Sequence, residues 1–187
     1  MPLPVSIKDW PLPYVERLDR RDPSRVVIAV IHCTELPDLA SAREYGERIV
    51  HEGTGTGNSG HYYIDRDGSI VRFVCETRIA HHVRDHNERS VGIELVNLGR
   101  YPDWFDSRRQ EMVEPYPAVQ VDALLSLLES LRRELPNLER IAGHEDLDRT
   151  LVAASDDPAL QVARKRDPGP MFPWNEILRR SGLTRER

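Results

Sequence analysis

The sequence predicts a single-domain α/β fold in which a mixed central β-sheet is flanked by helices. Three observations predict it. Short runs rich in β-branched residues alternate with stretches whose apolar residues recur at helical spacing. Some strand-like runs are joined by a hairpin signal and others by crossover-length segments, so antiparallel and parallel links are both expected. A length of 187 residues suits one hydrophobic core.

The elements follow in order. Residues 1–24 are proline-rich and are expected to wrap the surface, ahead of a functional domain spanning 25–180. Arg25 to Thr34 is a short β-branched run of the kind buried on both faces of a sheet. Leu39 to Glu52 reads as helix, and Gly53 to Gly60 is a loop with four glycines. His61–Ile64 and Ser69–Val74 flank Asp65-Arg66-Asp67-Gly68, a hairpin signal. Ser90 to Val96 is a further strand. Ala118 to Leu135 carries helical spacing and stops before Pro136. Arg140 to Gly143 is a short strand, residues 145–170 read as irregular, and Trp174 to Arg180 closes the chain with a short helix.

Composition narrows the function classes. Apolar residues make up 39% and charged residues 30%, an ordinary globular balance. A net charge of -5 offers no basic field for nucleic acid. No apolar run approaches the roughly 20 residues a membrane helix requires. No basic n-region with an apolar core opens the chain, so a cytoplasmic location is expected, or release at lysis if the chain is phage-encoded. Cys33 and Cys75 are expected to be reduced thiols, and the protein a monomer.

Three polar residues stand at strand ends or in adjoining loops: His32, His144 and Asp167. Two imidazoles and a carboxylate with an open fourth position form a catalytic zinc set. Such a metal acidifies water toward neutral pH and polarises a carbonyl. These residues are far apart in the chain and no spacing rule joins them. A strand-end histidine taken singly is more often a hydrogen-bonded structural residue, so the residues alone leave both readings open. Glu94 sits inside the apolar strand Val91–Val96, where an unpaired carboxylate is costly. It needs either a salt-bridge partner or a task such as general base. Lys165 lies two residues before Asp167, on the same side of an extended chain. It can stabilise an oxyanion there, or simply be solvated.

The ordered set of motifs adds to this. His32-Cys33-Thr34, Asn87-Glu88-Arg89-Ser90-Val91-Gly92-Ile93-Glu94-Leu95, Gly143-His144-Glu145-Asp146 and Lys165-Arg166-Asp167-Pro168-Gly169-Pro170 resemble the motifs of the type 2 N-acetylmuramoyl-L-alanine amidases. That family includes cytoplasmic AmpD recycling amidases, phage lysozyme-amidases and animal peptidoglycan recognition proteins, and the resemblance covers about residues 25–175. It implies the peptidoglycan-recognition-protein/amidase fold, a Zn2+ cofactor held by His32, His144 and Asp167, and peptidoglycan fragments or (anhydro)muropeptides as partners. An aspartate as third ligand resembles the AmpD branch. The implied reaction is hydrolysis of the amide between the muramic acid lactyl group and L-alanine. Glu94 is the implied general base and Lys165 the oxyanion group.

One position departs from the family. Relatives carry a Tyr just before the place of His61, where this chain has Gly60. Proton work therefore falls to Glu94, with Tyr62 or Tyr63 as substitutes that the strand register does not favour. His61, His82 and Asn87 are the candidate substrate-binding residues, although His61 can equally well simply fill its strand. Two rivals stand beside the amidase reading: a non-catalytic peptidoglycan-binding module, and a zinc hydrolase of another amide. The 20 residues between His144 and Lys165 exceed the spacing of compact relatives, so an inserted loop is expected to arch over or beside the cleft.

Overall fold

The computed structural model describes residues 6–187, so residues 1–5 of the expected surface extension lie outside the described residues. Seven strands form the main sheet: β1 (Ile7–Asp9), β2 (Ile28–Cys33), β3 (Tyr62–Ile64), β4 (Ile70–Arg72), β5 (Ser90–Leu95), β6 (Arg140–Gly143) and the last strand, Thr184–Arg185. Its order across the sheet is β1-β4-β3-β5-β2-β6 and then Thr184–Arg185. β3 and β4 form the antiparallel hairpin, while β2, β3, β5 and β6 run parallel to their other neighbours. The mixed sheet expected from the hairpin and crossover links is what the chain forms.

β2 lies between β5 and β6, and all six of its residues are buried. Its alternation divides it between two faces. Ala29 and Ile31 pack with Val91, Ile93 and Leu95 against Val121, Leu124 and Leu128 of the long helix Ala118–Glu134. Ile28 and Val30 face the other way, and His32 continues that row. The ends of this opposite face, at the C-termini of β2 and β5, carry the site.

Four expectations are corrected. Residues 6–24 do more than wrap the surface: β1 adds an edge strand, and Leu12, Tyr14 and Leu18 are buried in a core cluster with Tyr63, Val71 and Phe73. Their apolar side chains are hidden among prolines, which break any periodicity. The helix α1 (Leu39–Glu47) stops five residues short of Glu52, leaving Ile49 and Val50 exposed. Its start is capped by Asp38, which accepts from the Ser41 N–H at 2.7 Å. Residues 145–170 are not wholly irregular. They hold the turn of helix His144–Leu147 and an antiparallel hairpin of Leu151–Ala153 with Gln161–Ala163. Finally, Thr184–Arg185 adds a strand beyond the expected last helix, here Trp174–Ser181.

The inserted hairpin stands beside the cleft. At its base Asp148 pairs with Arg164, and the Arg164 N–H donates to Thr150 O at 2.8 Å. At its tip Ser107 donates from N and Oγ to the Asp156 carboxylate, and the Ser155 N–H donates to Phe105 O. Two long loops thereby buttress one another.

Candidate metal centre and active site

Register brings the first residues of the site together. His32 and Glu94 are direct partners across β2 and β5, and Ile31 is the partner of Gly143 in β6. The next residue, His144, therefore emerges beside His32, their rings 4.6 Å apart. Asp167 arrives from 135 residues away in sequence. Its carbonyl accepts from the Glu145 N–H at 3.0 Å, which holds the 167–168 turn against β6. Gly143 permits that approach, since a Cβ there would stand 2.8 Å from Pro168 Cδ.

His32, His144 and Asp167 are all buried and offer ligand atoms within 4.8 Å of one another. His32 Nδ1 and His144 Nδ1 lie 2.9 and 3.2 Å from the same oxygen, Asp167 Oδ2. Ligand atoms around a tetrahedral zinc sit roughly 3.3 Å apart, given bonds of about 2.0 Å. The two edges that meet at Asp167 Oδ2 are of that order. Asp167 Oδ1 is buried with no hydrogen-bond partner among the described residues. An orphaned carboxylate oxygen is costly, and a cation among these atoms would relieve it. The donor set fits zinc.

Electrostatics support an acceptor-rich centre. Burial works to raise the Asp167 pKa, but His144, His32 and Lys165 outweigh it and hold the carboxylate well below its ordinary range. Burial lowers the His32 pKa to about 4 against the counter-pull of Asp167, so its ring is neutral at pH 7. Burial also holds His82 and His61 well below their ordinary value, helped by the charge of neighbouring imidazoles and Arg21.

Glu94 Oε1 lies 4.0 Å from His32 Nδ1. Burial, reinforced by Asp167 and opposed by Lys165, raises its pKa to about 8. That value belongs to the metal-free protein; a cation held by His32, His144 and Asp167 would favour the ionised carboxylate that a general base requires. Gly60 makes room for it: a Cβ there would meet Glu94 Cγ at 2.8 Å. Lys165 lines the same cavity of about 540 Å3.

The substrate-binding candidates divide. His61 is fully buried and does not line the cavity. Its Nδ1 accepts from the Gly92 N–H at 3.0 Å and its Nε2 lies 3.1 Å from Arg78 O. This corrects the expectation that it meets substrate, because both ring nitrogens are committed to the scaffold. His82 lines the cavity, but its Nδ1 and Nε2 lie 3.0 Å from His32 Nε2 and from Ser90 Oγ. Asn87 also lines it, with Oδ1 accepting from the N–H groups of His82 and Val83.

Tyr63, which the sequence alone does not favour, does reach the site. It is the register partner of Glu94 in β3 and lines the cavity. Strand alternation across the hairpin was the available signal, but it needed the β3–β5 register to be usable. Ser59 Oγ donates to Gly60 O, so the Tyr63 hydroxyl donates to Ser59 Oγ and accepts from the Gly60 N–H. Its proton is engaged, and burial raises its pKa far above the ordinary tyrosine value.

Comparison with known proteins adds an independent line. Residues 22–170 match the family model described as N-acetylmuramoyl-L-alanine amidase. The amidase AmiD of Escherichia coli K12 is 32% identical over 91 residues, 49% of this chain and 27% of that protein's length. The amidase LysC from Clostridium intestinale has the same fold, with a TM-score of 0.65 at 21% identity, covering 96% of this chain and 99% of that one. AmpDh3 of Pseudomonas aeruginosa, solved in complex with an anhydromuramic pentapeptide, gives a TM-score of 0.61 at 26% identity over 86% of this chain and 61% of that one.

Proposed function

The chain belongs to the N-acetylmuramoyl-L-alanine amidase family, and we propose that it is a zinc-dependent hydrolase of the amide joining the muramic acid lactyl group to L-alanine. The observation that carries this reading is the convergence of His32, His144 and Asp167 on one point, with Glu94 set against His32 by strand register. A zinc ion held by those three residues supplies Lewis acidity, which acidifies water and polarises a carbonyl.

The other steps belong to the chain's own residues. Glu94 takes a proton from the attacking water as the water oxygen adds to the amide carbon. The C–N bond then breaks, and the same proton passes from Glu94 to the departing nitrogen, leaving free L-alanyl peptide and a lactyl carboxylic acid whose remaining proton ionises to solvent. Lys165 places an ammonium where negative charge develops on the carbonyl oxygen. The cavity of about 540 Å3 offers room for a sugar–peptide junction, and a second hollow lined by Tyr45, Trp104 and Phe105 adjoins it, sharing Tyr45 and Lys165 with it. Its substrates on this reading are peptidoglycan or (anhydro)muropeptides. Among the described residues no helix is long and apolar enough to cross a membrane.

The test is incubation with an anhydro-muropeptide and with purified sacculi, with products identified by mass, alongside metal analysis. Zinc near one per chain and release of free stem peptide are expected. Binding without release would leave a peptidoglycan-binding module instead.

A further inference from the structure

His32 faces Asp167 with Nδ1 and turns Nε2 the other way, where a hydrogen-bonded chain begins. His32 Nε2 lies 3.0 Å from His82 Nδ1, and His82 Nε2 lies 3.0 Å from Ser90 Oγ. The Ser90 hydroxyl donates to the His86 carbonyl at 2.8 Å. A carbonyl only accepts, so this last link gives the chain a direction. The single Ser90 proton goes to His86, and Oγ accepts from His82 Nε2–H. A neutral imidazole protonated on Nε2 has a bare Nδ1, which accepts from His32 Nε2–H. His32 is left with Nδ1 bare, its lone pair turned toward His144 and Asp167.

We infer that His82, backed by Ser90, is a positioning residue that selects the His32 tautomer and aims its Nδ1 at the metal. The inference rests on the zinc reading above for its purpose, though the hydrogen-bonded chain stands in the protein alone. Two further features hold the His82 ring in place. Gly92 lies against it, where a Cβ would stand 2.6 Å from the ring atoms. Asn87 Oδ1 ties down the backbone N–H of His82 and Val83. With both ring nitrogens engaged, His82 has no hydrogen-bonding atom left for substrate. Outer partners that orient a ligand histidine are a recurrent need of metal sites.

Imidazole nitrogen NMR on the metal-free full chain reads the tautomers directly. His32 and His82 are both expected to be protonated on Nε2, and His82→Ala is expected to leave His32 in a tautomer mixture. Chelator competition then reads zinc affinity, expected to fall about 10- to 100-fold in His82→Ala. His82→Asn places an acceptor oxygen near the position of Nδ1 and is expected to recover most of that loss. Ser90→Ala, which removes only the last link, is expected to weaken zinc less than His82→Ala. At saturating zinc, KM should stay near the parent's. His32 protonated on Nδ1 in the metal-free parent overturns the inference. So does a His82→Ala protein with parental zinc affinity and only a raised KM. Failure of the amidase reading shows separately, as absence of peptide release, and leaves the tautomer measurement intact.

Discussion

His32 and Glu94 are register partners on neighbouring parallel strands, and that pairing sets the imidazole Nδ1 4.0 Å from a carboxylate oxygen. Side chains at matched positions of adjacent strands rise from the same face. The two side chains are therefore aligned by the centre of the sheet, with no loop needed to bring them together. This arrangement tolerates little movement of either residue.

Glu94→Gln is expected to retain zinc and fold while turnover falls roughly 100-fold or more, the scale of general acid–base catalysis. It also changes stability in the metal-free protein. The folded carboxyl titrates at about 8 against 4.5 for an ordinary glutamate, so between those values the folded state holds a proton that the unfolded chain has released. Stability on this account is full below pH 4.5, declines as pH rises, and levels off above about 8. Glu94→Gln removes that decline, so at pH 8 the metal-free variant should be the more stable protein. Urea denaturation at pH 5 and pH 8 measures it, and parallel pH dependence in parent and variant would refute it.

Gly60→Ala tests the space that Glu94 occupies. The added methyl would meet Glu94 Cγ at 2.8 Å and Gly92 O at 3.3 Å. Zinc content should hold while kcat drops on the order of 10- to 100-fold, because a displacement near 1 Å can cost that much. A variant with parental kcat would mean that Glu94 has room to move without loss.

Lys165→Ala should lower kcat more than it raises KM. A group that meets charge only in the transition state acts on the chemical step. The loss is expected to be on the order of 3 kcal/mol, as for removal of one oxyanion donor. If only KM rose, Lys165 would be a substrate-binding residue.

His144→Ala removes one corner of the ligand triangle. The purified variant is expected to carry well under one zinc per chain and to lack peptide release, whereas the parent carries about one. Chelation of the parent should abolish activity, and added zinc should restore it. Activity in a metal-free parent would sink the zinc reading.

Shortening Leu151 to Leu160 to a Gly-Ser link probes the inserted hairpin. Those residues do not line the main cavity, but Ser155 and Asp156 brace the Phe105–Ser107 loop beside the adjoining aromatic hollow. Zinc binding should survive, and KM for muropeptide or sacculi should shift. A truncated protein matching the parent on both substrates would make the hairpin irrelevant to the cleft.

Much of this protein was legible in residues alone because the signals concerned are local. The β-branched run before His32, the Asp65–Gly68 turn and the spacing through Ala118–Leu135 each report their element by a period or a turn preference. The ordered motifs named the family and pointed to His32, His144, Asp167, Glu94 and Lys165 as candidates. What the tertiary structure decided was non-local. Asp167 meets His32 across 135 residues, and only the β2–β5–β6 register makes Glu94 and His144 neighbours of the same imidazole. Leu12 and Tyr14 enter the core from a proline-rich segment without periodicity. The roles of Gly60, His61 and His82 depend on what lies within a few ångströms of them. A sequence records a residue's chemistry and its local preference for a backbone shape. Which partner exhausts a histidine's nitrogens, or fills the space above a glycine, is set by strands and loops that meet only when the sheet is assembled.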